Sequence, residues 1–337
     1  DNGVGDPDDD GAFTNDQIAS FLNSGYWGGN QRAFDVAPGG ELNVDLSGLT
    51  AEGRNLAELA LDAWEQVIGI SFDTAPGSGE AIHITFDDNQ SGAFATSDVQ
   101  NGVIQSSHVN VSTSWLASSG TTVDSYSFQT YIHEIGHAIG LGHAGNYNGS
   151  ATYGVSNHYS NDSWQATVMS YFSQTENSSV TGSYAYVITP QTADILAAQE
   201  LYGVAGDLRT SDTTYGDGSE TGSYYDRWMS EETNVSFTIL DDGGVDTLNF
   251  TSTGAHQRID INEEANSSVN GQTGNMNISR GTVIENVNAG DGNDVITGNA
   301  ADNRLNGGQG DNTLSGGDGD DILRCRDGDD SVDGEQG

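Results

Sequence analysis

Three histidines and a glutamate fall within residues 133–143, which read HEIGHAIGLGH, and their spacing suits a catalytic metal site. His133 and His137 are four residues apart, so on a helix both imidazoles project from one face and can reach one ion. Gly140 can adopt a backbone conformation that other residues resist, which would end the helix and turn the chain so that His143 joins them. Three neutral protein ligands leave a coordination position open for water, which is the condition for a catalytic rather than a structural zinc.

Glu134, beside the first histidine, supplies the base that such a site needs. On a helix it is turned away from the histidine pair but stays close enough to act on a metal-bound water. The alternative is a helix that merely carries polar residues. A short HExxH pattern often occurs by chance, but the full pattern with the third histidine almost never does. We therefore predict one catalytic zinc ion, with His133, His137 and His143 as ligands and Glu134 as general base.

The composition is strongly acidic. Fifty Asp and Glu residues face nine basic ones, all of them arginine, and the formal net charge is −41. That charge argues against nucleic acid and anionic membrane surfaces as partners, and it favours a protein that binds many divalent cations or tolerates high salt. No apolar run approaches the roughly 18 residues of a membrane span, and no signal-peptide pattern opens the sequence. Because Cys325 is the only cysteine, an internal disulfide framework is excluded and calcium is the expected stabiliser.

The periodicity of the apolar residues predicts the elements that position the histidine motif. Helices are expected over residues 14–26, 54–68, 128–139 and 192–201. Strands are expected over residues 70–72, 81–86 and 107–115. This order indicates an α/β catalytic domain, residues 1–205, in which a sheet packs on one side of the two long helices. The first ten residues include five aspartates and are interpreted as a solvated arm.

Four other histidines have no metal-ligand spacing. His83 and His108 lie in strand-like runs with alternating neighbours, so we interpret them as surface or packing residues rather than ligands. His158 and His256 lie in loop-like sequence and stay unassigned.

A nine-residue repeat starts at Ala289 and continues for five copies, of which the fifth, residues 325–333, is degenerate at its start. Each copy contains a Gly-rich turn, an acidic or amide residue and a short strand with one or two apolar side chains. Stacked turns that expose carbonyl oxygens, together with the aspartates, can enclose a hard cation such as calcium. We therefore predict an all-β, calcium-binding parallel β-roll in residues 206–337. The alternative is a disordered Gly/Asp linker, which the charge density makes the expected state without calcium.

The repeat also predicts which side chains fill the roll and which residues bind calcium. Val295, Leu305, Leu314 and Ile322 are expected to line the interior. The candidate calcium ligands in the turns are Gly290, Gly292, Asp294, Asn299, Ala301, Asn303, Gly307, Gln309, Asn312, Gly316, Asp318, Asp321, Asp327 and Asp330.

Three parts of the sequence together resemble the serralysin family of secreted zinc metalloproteases, within the metzincins. They are the histidine motif, residues 168–172 (VMSYF) and the repeats, so the resemblance covers nearly the whole chain. Met169 resembles the methionine turn beneath the zinc of metzincins, although a methionine in an apolar run is more often plain core. Tyr171 matches the tyrosine that serralysins and astacins use as an additional zinc ligand. The resemblance implies that Tyr171 leaves the metal during turnover and helps to stabilise the oxyanion.

The resemblance implies a fold and an activity for the chain. The expected fold is an α/β metzincin protease domain followed by an all-β calcium-binding parallel β-roll. The expected function is a secreted, extracellular endopeptidase with one catalytic Zn²⁺ and several structural Ca²⁺ ions. Protein and peptide substrates are its implied partners, a proteinaceous inhibitor is left open, and a monomer is expected. The rival hypothesis is a calcium-dependent roll protein whose protease-like domain only binds, and no residue favours it.

Serralysins also carry calcium between the protease domain and the roll. The matching positions here are Arg209, Ser211, Thr213, Asp241, Gly243 and Asp246 for one site, with Gly244, Asp246, Val283 and Glu285 for its neighbour. Asn312 and Cys325 depart from the aspartate and glycine of the repeat pattern, and we expect both to weaken the turns that they border. The family carries a propeptide and is exported through a signal beyond the roll. Since this sequence stops at Gly337, we expect it to lack the export segment and to begin at a mature N-terminus.

Overall fold

A computed structural model of the protein describes residues 11–206, 208–230 and 233–334. The described chain forms two compact units: residues up to 180 with 186–206, and residues 181–185 with those after 207. The acidic segment predicted as a solvated arm, residues 1–10, lies outside the described ranges. Within those ranges, no helix combines the length and the apolar character needed to cross a membrane.

The first unit is a mixed sheet covered by helices. Its helices are α1 (Asn15–Ser20), α2 (Ala51–Glu65), α3 (Thr113–Ser119), α4 (Tyr126–Ala138) and α5 (Thr192–Tyr202), with a π-helical turn over Phe21–Gly25 directly after α1. Its strands are β1 (Ala33–Phe34), β2 (Glu41–Gly48), β3 (Ser71–Asp73), β4 (Ile84–Asp87), β5 (Ala93–Gln100), β6 (Val103–Val111) and β7 (Tyr186–Val187). The main sheet has the parallel order β1–β6–β4–β2–β3. Strand β5 pairs only with β6, in antiparallel fashion, so its other edge is free among the described strands.

Helix α4 lies in the core of this unit, and both its capping residue and its packing against α2 stabilise it. The side chain of Ser125 caps it by accepting a hydrogen bond from the Phe128 N–H at 3.3 Å. The indole Nε1 of Trp64, on α2, donates to the Ile132 carbonyl at 3.0 Å and joins the two long helices. Trp64, Phe128 and Ile135 are fully buried, and the burial of each such side chain is worth roughly 1.5–3 kcal/mol. The packing therefore holds α4 rigidly enough to position side chains on its remaining face.

The predicted helices and strands of this unit are present with shifted bounds, while α3, β1 and β7 were not predicted, and three further differences stand out. The helix predicted over residues 14–26 is α1 followed by the π-helical turn. The strand predicted over residues 107–115 is wrong at its end, because Ser112 accepts a hydrogen bond from the Trp115 N–H and starts α3 there. Strands β2 and β5 were not predicted at all.

The second unit consists mainly of short parallel strands. It contains α6 (Asp226–Ser230) and the strands β8 (Thr214–Gly216), β9 (Val235–Ile239), β10 (Thr247–Asn249), β11 (Arg258–Asp260), β12 (Asn266–Ser267), β13 (Met276–Ile278), β14 (Asn286–Asn288), β15 (Val295–Thr297), β16 (Arg304–Asn306), β17 (Thr313–Ser315), β18 (Ile322–Arg324) and β19 (Ser331–Asp333). One parallel sheet has the order β18–β16–β14–β10–β8 and another has the order β11–β15–β17–β19. Successive strands of the repeat thus alternate between two sheets, and hydrogen bonds in the turns join residues 18 apart.

The interior of the repeat corrects one prediction. Leu305 and Leu314 are buried as expected, but Val295 is 42% exposed and Ile322 is 47% exposed. In the three-residue strands β15, β16 and β17 the middle side chain is buried, and Val295 and Ile322 are each the first residue of their own strand. The buried position in β15 belongs to Ile296. Side chains alternate between the two faces of a strand. The predicted alignment of Val295 and Ile322 was off by one residue, so it assigned outward-facing side chains to the interior.

Candidate functional site

The three histidines of the motif converge on one point. His133 and His137 project from α4 and His143 from the loop after it, and one ring nitrogen from each lies within 4.8 Å of the others. The Nε2 atoms of His137 and His143 are 3.0 Å apart. No second group of three His, Cys, Asp or Glu side chains with this proximity occurs in the described part of the chain. The arrangement fits a single small cation between the rings.

The loop after α4 reaches this point through glycine. Helix α4 ends at Ala138, and Gly140 has φ +121°, which confirms the prediction that a special backbone conformation ends the helix. A Cβ at Gly140 would lie 2.0 Å from the carbonyl oxygen of Arg32, so no other residue fits there. The Gly140 carbonyl in turn accepts a hydrogen bond from the Trp27 indole at 2.8 Å. These contacts fix the path of the chain from α4 to His143.

Hydrogen bonds set the tautomers of the histidine rings. The Nδ1 atoms of His133 and His137 lie 2.8 Å from the carbonyl oxygens of Val168 and Leu141. A carbonyl only accepts hydrogen bonds, so both Nδ1 atoms carry the proton and both Nε2 atoms keep a free lone pair. Such partners also orient the rings of metal-binding histidines. The Nδ1 of His143 pairs with the hydroxyl of Tyr26 at 3.2 Å.

Burial keeps the histidines neutral, which is the form that binds metal. It lowers the pKa of His133 to about 4 and that of His137 to about 3. The pKa of His143 is lowered further, first by burial and then by the other two rings. The same burial raises the pKa of Glu134 to about 8, against a smaller opposing hydrogen bond from the Ala95 backbone. A cation beside Glu134 would favour its ionised form, so a metal ion held by the histidines would prepare Glu134 to accept a proton.

Met169 lies directly beneath the histidines. A Cβ at Gly136, between the two helical histidines, would lie 2.7 Å from the Met169 sulfur, so the turn packs tightly against α4. The buried carboxylate of Asp194 holds this turn by accepting hydrogen bonds from the Thr167 hydroxyl at 2.5 Å and the Val168 N–H at 2.8 Å. Asp194 also accepts the Gln191 N–H at 2.9 Å, and so ties the turn to the start of α5. The turn thus positions Val168, the hydrogen-bond partner of His133.

Tyr171 lies beside the histidines, and a second set of buried hydrogen bonds positions it. Its ring centre is 4.6 Å from that of His143, and its hydroxyl accepts a hydrogen bond from the Gly149 N–H at 3.2 Å. The Tyr171 N–H donates to the Tyr147 hydroxyl, which donates to the buried carboxylate of Asp162 at 3.1 Å. Burial raises the pKa of Asp162 to about 7, although hydrogen bonds from Ser170 and Tyr147 oppose the shift. The backbone of Tyr171 is therefore held by Tyr147 and Asp162, and the centre of the Tyr147 ring also lies 5.6 Å from that of His143.

Two cavities meet at Glu134 and Tyr171 and form a cleft along β5. The first, which we call the Arg32 cavity, measures about 340 Å³ and is bordered by Trp27, Arg32 and His143. The second, the Trp115 cavity, measures about 400 Å³ and is lined by the aromatic side chains of Trp115, Tyr126 and Trp164. Ala93 of β5 lies in the wall of both. The two cavities therefore share Glu134, Tyr171 and the beginning of β5.

Sequence reasoning missed the supporting residues of this site. Tyr26, Asp162 and Arg32 lie far from the motif in sequence, and none follows an apolar period or a ligand spacing. The only available signal was the aromatic pair that follows the first predicted helix. The other histidines serve other contacts: His83 accepts from the Asn43 N–H and His256 from the Asn293 N–H, His108 pairs with the Thr85 hydroxyl, and the ring of His158 stacks on Phe21.

Several calcium ligands predicted near the start of the second unit lie close together. The Asp246 carboxylate accepts the Thr213 N–H at 2.8 Å, and Glu285 accepts the Asp246 N–H at 2.6 Å. Burial raises the pKa of Asp246 to about 7, with further contributions from the charges of Asp241 and Glu285. The Oδ2 of Asp246 is buried without a hydrogen-bond partner. Because Asp241 and Glu285 lie near enough to raise the pKa of Asp246, this unpartnered oxygen is in negatively charged surroundings that suit a cation.

The other ligands predicted for this region would have to bind through their backbone. A Cβ on Gly244 would lie 2.8 Å from the Ser211 carbonyl oxygen, so these two positions are also adjacent. Gly243 has φ +143°, and its N–H donates to Asp241 at 2.9 Å. The Arg209 side chain donates a hydrogen bond to the Leu240 carbonyl at 2.9 Å, and the Val283 side chain is apolar and 44% exposed. Each residue could therefore bind calcium only through its backbone carbonyl.

The predicted turns of the repeat stack on one another. A Cβ on Gly308 would lie 2.0 Å from the carbonyl oxygen of Gly290, and one on Gly310 would lie 2.3 Å from that of Gly292. Gly317 and Gly319 stand in the same relation to Asn299 and Ala301. The remaining candidates lie in these turns and in the following one, where a Cβ on Gly328 would lie 2.1 Å from the Gly310 carbonyl oxygen: Gly307, Gln309, Gly316, Asp318, Asp327 and Asp330.

The sixth residue of each repeat closes its turn in one of two ways. Asp294 and Asp321 each accept a backbone hydrogen bond at Oδ1, from the N–H groups of Gln257 and Asn303, and keep Oδ2 buried without a partner. Asn303 and Asn312 instead use the second group of their side chains, the amide nitrogen, to donate a hydrogen bond. The Asn303 nitrogen donates to the side-chain oxygen of Asn299 and the Asn312 nitrogen donates to the Gly310 carbonyl, both at 3.0 Å. The turns closed by aspartate therefore keep one carboxylate oxygen free to bind a cation. In the turns closed by asparagine, the amide nitrogen uses an oxygen acceptor that could otherwise bind the cation.

Comparison with known proteins agrees with this geometry. The family described as Matrixin matches residues 45–167, and the family described as Peptidase M10 serralysin C terminal matches residues 205–336. The chain belongs to the serralysin family. It is 36% identical over 265 residues to metallopeptidase AprA of Pseudomonas marginalis, a match that covers 75% of this chain and 55% of that protein. Its identity to a serralysin of Photorhabdus sp. (strain Az29) is 37% over 260 residues, with 74% and 53% covered. The chain thus spans about half the length of the relatives it matches.

Proposed function

We propose that this chain is a secreted, extracellular, zinc-dependent endopeptidase that cleaves peptide bonds within proteins. The proposal depends above all on the convergence of three neutral histidines, two of them with a free Nε2 lone pair, at the base of a cleft that also contains Glu134. Membership of the family supports it, since relatives carry the names metallopeptidase and serralysin. Protein and peptide substrates are the partners that follow from it.

His133, His137 and His143 would hold the zinc through Nε2, with Tyr171 as a further ligand in the resting enzyme. When bound, zinc polarises the scissile carbonyl and lowers the pKa of water toward neutrality. The Val168 and Leu141 carbonyls keep the two helical rings in the tautomer that binds metal. The hydroxyl of Tyr171 lies at the same cleft wall, and stabilisation of the oxyanion is the role proposed for it during turnover.

Glu134 is proposed as the base and then the acid of the reaction. Its carboxylate takes a proton from the attacking water as the water oxygen bonds to the carbonyl carbon. It then delivers that proton to the amide nitrogen as the C–N bond breaks, which releases a neutral amine. Glu134 is only 7% exposed, so bulk water does not compete for this proton.

The free edge of β5 is the proposed platform for the substrate. A peptide that pairs with it gains backbone hydrogen bonds without any particular side chain, which suits an enzyme that cleaves many proteins. The two arms of the cleft then receive side chains on either side of the scissile bond.

For the rest of the chain we propose a parallel β-roll, residues 206–337, after a protease domain in residues 1–205. The two sheets with alternating strands support this arrangement, and the unpartnered oxygens of Asp246, Asp294 and Asp321 support several calcium ions bound between its turns. We propose that calcium stabilises the roll and that the enzyme is a monomer. A proteinaceous inhibitor that fills the cleft is compatible with the proposal.

The decisive test is peptide hydrolysis with and without zinc at constant calcium. Casein cleavage should disappear after treatment with a zinc-selective chelator and return when one equivalent of zinc is added, because three ligands define one site. Restoration by calcium alone would contradict the proposal. Absence of cleavage in the zinc-loaded protein would favour the rival hypothesis of a domain that binds without catalysis.

A further inference from the structure

Arg32 is an unusual residue for the place that it occupies. The chain has nine arginines, no lysine and a net charge of −41, yet one of the nine borders the proposed active-site cleft. Among the residues that line the two cavities, Arg32 is the only arginine and Glu134 the only acid. Its side chain makes no ion pair or hydrogen bond in the part of the chain that the structure describes. A cation in an acidic protein that is left unpaired beside a cleft is available to a ligand.

The guanidinium is also held in a fixed orientation. Its central carbon lies 3.7 Å from the centre of the Trp27 ring, which is close contact for a cation–π pair. Trp27 is itself fixed by the hydrogen bond from its indole to the Gly140 carbonyl at 2.8 Å. Stacking uses the face of the guanidinium and leaves its N–H edge free, and that edge matches a carboxylate with two parallel hydrogen bonds.

The direction of the substrate decides which side chain meets Arg32. Antiparallel strand pairs are slightly more stable than parallel ones and more common, so a peptide on the edge of β5 would run from Ser97 towards Ala93. Thr96 and Ser97 lie in the Arg32 cavity, whereas Gly92 and Ala93 border the Trp115 cavity. Residues that precede the scissile bond therefore enter the Arg32 cavity.

We infer that Arg32 is a specificity-determining residue that binds an acidic side chain of the substrate on the N-terminal side of the scissile bond. This inference rests on the proposed peptidase function. The opposite arm of the cleft has no arginine or lysine and is lined by aromatic rings, with centres 5.7 Å apart for both Trp115–Tyr126 and Tyr126–Trp164. The preference for acidic residues is accordingly restricted to one side of the bond.

The test compares matched peptides within each enzyme variant. Fluorogenic peptides with one cleavable bond carry Glu, Gln or Lys at each of the three positions before that bond, and a second set carries them after it. The ratio of kcat/KM for the Glu peptide to that for the Gln peptide is measured in zinc-loaded wild type, Arg32→Gln and Arg32→Glu. Because the ratio is taken within one preparation, it is independent of the fraction of folded or metal-loaded enzyme. Arg54→Gln is the control, since it removes the same charge from an exposed position of α2 that borders neither cavity.

In wild type and in Arg54→Gln, Glu at one position before the bond should raise kcat/KM roughly three- to ten-fold over Gln, and salt should reduce the ratio. The ratio should fall to about one in Arg32→Gln, and Arg32→Glu should prefer the Lys peptide. Ratios that are the same in wild type and Arg32→Glu would overturn the inference, and so would an Arg32-dependent effect confined to positions after the bond. If the zinc-loaded wild type cleaves none of the peptides, the proposed function fails and the inference with it.

Discussion

Glu134→Gln should retain one zinc per chain and lower kcat roughly 10²- to 10⁴-fold. Glutamine has the same shape as glutamate and would fit the buried position, where Glu134 is only 7% exposed. Its amide cannot take a proton from water, so the base is lost. The three histidine ligands and the carbonyls that orient two of them remain unchanged. The measurement is kcat for a fluorogenic peptide together with zinc content in the same preparation.

Glu65→Gln is the matched control for this substitution. Glu65 is an exposed carboxylate of the first unit, on α2, and it accepts a hydrogen bond from the Phe72 N–H at 3.1 Å. Since it borders neither cavity, its replacement should leave kcat within a few-fold of wild type. Retention of more than about a hundredth of the activity by Glu134→Gln would argue against Glu134 as the base.

Removal of calcium should unfold the repeat while the histidine motif stays covalently intact. The short strands β15, β16 and β17 each bury one middle side chain, such as Ile296 or Leu314, which offsets little of the entropy of ordering the chain. Without a cation, the Asp246 carboxylate would be repelled by Asp241 and Glu285, and the buried Oδ2 of Asp294 would have no partner. Calcium binding would therefore provide folding free energy for this unit. Circular dichroism and limited proteolysis during a calcium titration would show the loss of β signal and of resistance to cleavage.

Variants within the repeat sharpen this prediction. Asp294→Asn should raise the calcium concentration needed for folding, because it removes a buried unpartnered oxygen. Asp291→Asn is the control, since Asp291 is exposed and already pairs with Gln309 at 2.7 Å. The turns that border Asn312 and Cys325 should release calcium first. An unchanged β signal and protease resistance after complete removal of calcium would show that something else stabilises this unit.

The sequence was most informative where the chemistry is local. The three histidines and Gly140 lie within one short segment, so helix periodicity and the conformational freedom of glycine were enough to predict their convergence. Strand β5 could not be predicted, because its side chains are half-buried or exposed and show no clear apolar alternation. It is a strand because β6 pairs with it, which is a tertiary effect.

The residues that support the histidines and Tyr171 could likewise not be predicted from the sequence. Tyr26 reaches His143 from 117 residues away, and Asp162 acts through Tyr147. Such pairs depend on how α1 and the loops fold back on α4, and no spacing in the sequence encodes them. The inverted assignment of Val295 and Ile322 has a different origin, since in a three-residue strand an alignment error of one residue exchanges the two faces.

The most direct test of the central claim is anomalous diffraction at the zinc edge from crystals of the protein. We expect one strong peak at bonding distance, about 2.0–2.1 Å, from the Nε2 atoms of His133, His137 and His143, with the hydroxyl of Tyr171 on the same ion. No peak at these side chains in zinc-loaded, active protein, or a zinc ion bound elsewhere, would contradict the account.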